Sequence, residues 1–261
     1  MTPPGPPIDP RFALLLERPS RSGLFCDFDG TLAPIVDDPA AATATAGAGM
    51  ALGRLASRWA AVWVVSGRPV EFLARQLPAE VGLSGLYGLE TRIDGVARID
   101  PRAERWSAVV DQVAGAAEAA SGADVAVERK GLAVTLHFRV HPEAAPRAEA
   151  LARQLADDSG LTVHAGRMSY ELRPPVQVDK GTVVQTAAAG LAAVCFLGDD
   201  RGDLPAFDAL DRLAAGGVHA VRVAVASAEA PSELLERADV VLDGPPAVVA
   251  LIEALSADVA G

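Results

Sequence analysis

The sequence predicts an α/β protein: a parallel sheet buried on both faces, interrupted by an inserted α+β unit. Two observations predict it. Apolar runs of about five residues recur at 24–26, 61–65, 194–197, 220–226 and 240–242, with helix-length stretches between them, as in a sheet covered by helices on both sides. The middle of the chain, 100–174, instead alternates apolar and polar residues, the period of a sheet with one dry and one wet face.

Met1 to Pro10 are proline-rich, with neither a basic stretch nor an apolar core, so they read as a flexible tail, taken to residue 12, and not as a targeting signal. Helices expected over 48–59, 70–77, 182–191, 204–213, 231–237 and 247–255 complete a core assigned to 13–99 and 175–261. The insert is expected to hold a helix over 102–120, two strands, a helix over 142–158 and two further strands. From Leu132 to Arg139, the residues Leu132, Val134, Leu136 and Phe138 share one face while Thr135, His137 and Arg139 share the other. The preceding strand sets Glu128 and Lys130 opposite Val125 and Val127, and the last sets Ser169, Glu171 and Arg173 opposite Tyr170 and Leu172. Three strands thus contribute to one polar surface.

Half of the 261 residues are apolar, enough for a sizeable core. A formal net charge of −11 argues against a nucleic-acid partner, since phosphate-backbone binding needs a basic face. No apolar run approaches the ~18 residues of a membrane span. Cys26 and Cys195 each fall inside an expected buried strand, which fits reduced core thiols in the cytoplasm better than a disulfide framework. A monomer acting on a small molecule is expected.

Four motifs carry chemistry, each at the end of an expected strand or the start of a helix. In Asp27-Phe28-Asp29-Gly30-Thr31 the two carboxylates leave an extended chain on one side, and Gly30 permits a sharp turn beside a ligand. A carboxylate can attack phosphorus and a second can shuttle the leaving group's proton, so Asp27 reads as nucleophile and Asp29 as acid/base. The first step needs a proton on Asp29, which nearby negative charge favours. Ser66-Gly67-Arg68 offers a hydroxyl and N–H groups for phosphate oxygens, as do Gly30 and Thr31. Lys180 precedes a helix and can neutralise spreading charge. Asp199, Asp200 and Asp203 crowd three acids into five positions, a cost that a hard divalent cation relieves, which points to Mg²⁺. Asp27, Asp29 through its backbone carbonyl, and Asp199 are the expected ligands, supported by Asp200 or Asp203.

In this order the motifs resemble those of the haloacid-dehalogenase-like (HAD-like) phosphotransferases. The resemblance implies Mg²⁺, an aspartyl-phosphate intermediate and a Rossmann-like core with an inserted cap domain over 100–174. More narrowly, Tyr87-Gly88-Leu89-Glu90, Glu128-Arg129-Lys130, His137-Phe138-Arg139, Gly166-Arg167 and Glu171-Leu172-Arg173-Pro174 look like the trehalose-6-phosphate phosphatase family. That likeness implies that Glu90, Glu128, Lys130, His137, Arg139, Glu171 and Arg173 bind the sugars. One departure stands out: the family often has Thr-Asp-Glu where this chain has Gly202-Asp203-Leu204. Rival readings are a phosphatase for sucrose phosphate or glucosyl-3-phosphoglycerate, a phosphomutase, and, from another class, a non-catalytic sugar-phosphate-binding module.

Overall fold

The computed structural model describes residues 8–36, 38–166, 168–227 and 230–257. The chain divides into a core unit, 1–97 with 178–261, and an inserted unit, 98–177. Of the tail expected over 1–12, residues 1–7 lie outside the described residues, and Pro10–Phe12 is a 3-10 turn. The tail ends earlier than expected because Phe12 enters the apolar core and is fully buried there.

The chain runs α1 (Ala13–Glu17), β1 (Ser22–Cys26), α2 (Ala48–Ala56), β2 (Ala61–Val65), α3 (Val70–Ala74), β3 (Gly82–Gly85), β4 (Glu90–Ile93) and β5 (Val96–Ile99). The insert follows as α4 (Pro101–Glu104), α5 (Ser107–Ala120), β6 (Ala126–Arg129), β7 (Val134–His137), α6 (Ala145–Ser159), β8 (Thr162–Gly166) and β9 (Ser169–Arg173). The core resumes with α7 (Lys180–Ala187), β10 (Ala193–Gly198), α8 (Leu204–Ala215), β11 (His219–Ala226), α9 (Ser232–Arg237), β12 (Val240–Asp243) and α10 (Gly244–Ser256).

The large sheet has the order β12-β11-β10-β1-β2-β3-β4-β5, parallel from β12 to β3, with β4 antiparallel to β3. Its central strands are apolar on both faces because helices cover both. Leu24, Cys26, Val62, Val64, Cys195 and Leu197 enter one cluster with residues of α2 and α10. Phe25, Val65, Val194 and Phe196 enter another with residues of α7 and α8. The strand ends are therefore held on two sides, and the residues that follow them inherit that rigidity.

The inserted unit is a four-stranded antiparallel sheet, order β6-β7-β9-β8. Val134, Leu136 and Leu172 pack on Val110, Val113, Ala148 and Ala152 of α5 and α6. The helix expected over 102–120 is two helices meeting at Trp106, whose ring packs against the unit's apolar cluster.

Candidate active site

β1, β2 and β10 lie side by side in parallel, with Cys26 paired to both Leu197 and Val64. Their carboxyl ends therefore fall together and bring Asp27, Ser66 and Asp199 to one edge of the sheet, where ligand sites of open α/β sheets form. The Asp27 N–H still donates to the Leu197 carbonyl at 2.9 Å, so the ladder runs into the first motif. Lys180, the first residue of α7, reaches the same place, its helix start fixed by the Asp179 carboxylate accepting from the Thr182 N–H at 2.7 Å.

Lys180 is 3% exposed, with its Nζ 2.8 Å from Asp27 Oδ1 and 2.6 Å from Asp203 Oδ1. Asp203 Oδ2 accepts the backbone N–H groups of Asp199 at 2.8 Å and Asp200 at 3.1 Å. It thus braces the acidic loop and fixes the lysine at once. Burial pushes the Asp27 carboxyl well up; Lys180 pulls it down, and Asp203, Asp199 and Asp200 push it up again. Burial also lifts Asp203, to about 6, against the pull of Lys180. In Lys180 the neighbouring carboxylates overcome burial and hold the ammonium charged.

Donor atoms of Asp27, Asp200 and Asp203 lie within 4.8 Å of one another. Such buried acid crowding, with one ammonium among it, suits a hard cation that prefers oxygen ligands. Asp199, expected as a ligand, lies outside that triplet; its Oδ1 accepts from the Thr31 hydroxyl at 3.4 Å. Gly30 makes room for it. At φ +82°, a Cβ on Gly30 would sit 2.1 Å from Asp199 Oδ2. In the departure at Gly202, the backbone N–H donates to Asp200 Oδ1 at 2.8 Å, so the missing hydroxyl leaves the loop braced.

The Arg68 side chain has its own partners: Nε and Nη2 donate to the two oxygens of Asp29, both at 2.7 Å, and Nη1 to the Pro39 carbonyl at 2.6 Å. Its guanidinium also stacks on Phe72, 4.5 Å from the ring centroid. Asp29 accordingly faces a cation where negative charge was expected. The Gly30 N–H, expected on phosphate, donates instead to the Ala33 carbonyl at 2.7 Å. Ser66 is buried and its Oγ accepts from the Arg68 N–H at 3.2 Å, with Gly67 between them.

In the inserted unit, strand register lines up Glu128, Thr135, Glu171 and His164 across all four strands. His137 Nε2 lies 2.8 Å from Glu128 Oε2, Lys130 Nζ lies 3.5 Å from Glu128 and 3.4 Å from Glu171, and Arg173 Nε donates to Glu171 at 2.7 Å. Five of the expected sugar-binding residues thus form one connected charge network. Arg139 lies beyond the end of β7, with no ion-pair partner among the described residues. Glu90 belongs to the core unit, where its Oε2 accepts from the Val70 N–H at 2.8 Å and caps α3. Arg167 lies outside the described residues.

A sequence profile of the trehalose-phosphatase family matches residues 25–240. The chain belongs to the trehalose-phosphatase family. The trehalose-phosphate phosphatase of Mycobacterium marinum is 36% identical over 204 residues, 73% of this chain and 52% of that protein. The trehalose-6-phosphate phosphatase-related protein of Thermoplasma acidophilum is 28% identical over 191 residues, 72% of this chain and 82% of that protein. The solved C-terminal domain of the C. albicans trehalose-6-phosphate phosphatase superposes with a TM-score of 0.74 at 26% identity, covering 96% of this chain and 97% of that one. The HAD-like fold expected from the motifs is the one observed. The chain spans about half the length of the mycobacterial relative, as the 52% coverage states.

Proposed function

We propose that the chain is a Mg²⁺-dependent phosphatase that hydrolyses trehalose 6-phosphate to trehalose and phosphate. One observation carries the reading: in a trehalose-phosphatase family chain, a buried lysine bridges Asp27, at the end of β1, and Asp203, in the turn that follows β10. Mg²⁺ held by Asp27, Asp200 and Asp203, with Asp199 beside them, would supply charge neutralisation at the phosphoryl oxygens. A Asp27 carboxylate oxygen attacks phosphorus, and the bond from phosphorus to the sugar 6-oxygen breaks as Asp29 delivers a proton to that oxygen. Asp29 then takes a proton from water, whose oxygen attacks the aspartyl-phosphate and restores Asp27. Lys180 and the Ser66 hydroxyl stabilise the charge that spreads over the phosphoryl oxygens.

The polar face of the inserted unit binds sugar hydroxyls through Glu128, Lys130, His137, Glu171 and Arg173, because polyols are recognised by arrays of charged donors and acceptors. The two buried, unpaired cysteines support a cytoplasmic setting, and we propose a monomer. The test is phosphate release from trehalose 6-phosphate, glucose 6-phosphate, sucrose 6-phosphate and glucosyl-3-phosphoglycerate, with and without Mg²⁺. Preference for trehalose 6-phosphate, lost with the metal and in Asp27→Asn, is the expected result. Equal rates on all four sink the substrate assignment; near-normal turnover by Asp27→Asn sinks covalent catalysis.

A further inference from the structure

Leu86 and Tyr87 both have left-handed backbones, at φ 49° and 58°. For residues with a Cβ this backbone is strained, and such strain persists only where the surroundings impose it. The surroundings here are the second and third motifs. The Tyr87 N–H donates to the Ser66 carbonyl at 3.0 Å and the Leu86 N–H to the Arg68 carbonyl at 3.1 Å, so the turn 86–87 is fastened to the turn 66–68. On its other side Gly88 meets α7, where an added Cβ would lie 3.1 Å from Val183 Cγ2, one turn from Lys180. The phenol end of the Tyr87 ring packs against Gly67: a Cβ there would fall 2.7 Å from both Cζ and Oη.

We propose that Tyr87 is a positioning residue of the phosphoryl site, whose ring wedges the Ser66-Gly67 turn against the start of α7 and so fixes the Ser66 hydroxyl relative to Lys180. The inference rests on reading Ser66 and Lys180 as phosphoryl-transfer residues. Asparagine at this position would accept the left-handed backbone more readily than tyrosine does, so the ring is present at a cost to stability that its placement between the two motifs accounts for.

The test compares wild type with Tyr87→Asn, Tyr87→Phe and Gly67→Ala, each with Mg²⁺. The readouts are Tm, calorimetric binding of inorganic phosphate, and kcat and KM on trehalose 6-phosphate and p-nitrophenyl phosphate. Tyr87→Asn is expected to keep or raise Tm, to lower kcat at least tenfold on both esters with KM within threefold, and to weaken phosphate binding. Tyr87→Phe restores all of these to within threefold, and Gly67→Ala, whose Cβ displaces the ring, reproduces the loss. The proposal is overturned if Tyr87→Asn keeps kcat and phosphate binding within twofold, if it loses Tm in step with activity, or if Tyr87→Phe is as impaired as Tyr87→Asn. A wild type active on the aryl ester and inactive on trehalose 6-phosphate removes the substrate assignment and leaves this comparison standing. A wild type inactive on both removes the enzymatic reading, and phosphate binding alone then decides for or against Tyr87.

Discussion

Replacing Asp27, the proposed nucleophile, should make the metal-free protein more stable. Asp27 is buried at 5% exposure, with Lys180 at 2.8 Å and carboxylates of Asp200 and Asp203 within 4.8 Å. At an effective dielectric of ~20, each of those like-charge pairs costs at least about 3.5 kcal/mol, while the Lys180 attraction returns about 6 kcal/mol. The charges nearly cancel, and the desolvation of a buried carboxylate, several kcal/mol by itself, decides the sign. The raised Asp27 carboxyl has the same cause. Asp27→Asn removes the charge at almost constant volume, and roughly 1–3 kcal/mol of added stability is expected, or about 2–10 °C in Tm for a chain of this size. The assay is thermal unfolding in EDTA and again with Mg²⁺: the variant melts above wild type in EDTA, and its Mg²⁺-induced rise in Tm is smaller. A variant that melts below wild type in EDTA would refute the reasoning, because the lysine would then outweigh burial and the crowd of acids.

Three further outcomes are expected. Lys130→Ala breaks the link between Glu128 and Glu171 and should cost at least tenfold in kcat/KM on trehalose 6-phosphate but under threefold on p-nitrophenyl phosphate; equal losses would argue against sugar recognition by this face. Arg68→Lys replaces a two-armed fork by a point charge and should lower kcat on the alkyl ester about tenfold or more, with less effect on the aryl ester, whose leaving group needs no proton. Burial pushes Glu171 up, but Lys130 and Arg173 outweigh it and hold the carboxyl below the usual glutamate value. Its stabilisation is therefore present above pH about 4.3, the unfolded value, and is lost as pH falls through the lower folded one; Tm measured from pH 3 to 7 should fall more steeply at the acid end for wild type than for Glu171→Gln.

The strands that carry the site were legible because their residues are apolar on both faces: β1, β2, β10 and β11 fall where the apolar runs predict them. β3 was not, for Gly82-Leu83-Ser84-Gly85 has one large apolar residue. It forms a strand because a glycine edge fits beside β2, where a Cβ on Gly82 would meet the Trp63 ring at 2.6 Å. The hairpin of β4 and β5 did leave a signal, the Asp94-Gly95 pair, whose residues both take positive φ between the strands. In the insert, period-2 alternation gave the polar row directly, since register only had to align faces already sorted by sequence. The surroundings of Asp29 were not legible, because they are set by Arg68, 39 positions away beyond the end of another strand. Spacing reveals which side chains share a face, and only parallel pairing reveals which strand ends share a partner.

Two carboxylates two residues apart would repel if the fold left them to each other, and it gives each a cation of a different kind. The ammonium of Lys180 acts on Asp27 as a point charge, its short contact falling on Oδ1, so neutralising this carboxylate does not require holding both of its oxygens. The guanidinium of Arg68 takes both oxygens of Asp29 in a planar fork. Each oxygen keeps a second lone pair beyond the one that Arg68 occupies, so an acid/base residue held that way has a fixed rotamer and still an open position for a proton. The Pro39 carbonyl and the Phe72 ring hold the Arg68 guanidinium in turn, so the orientation of Asp29 is set by Arg68 together with the two groups that hold it.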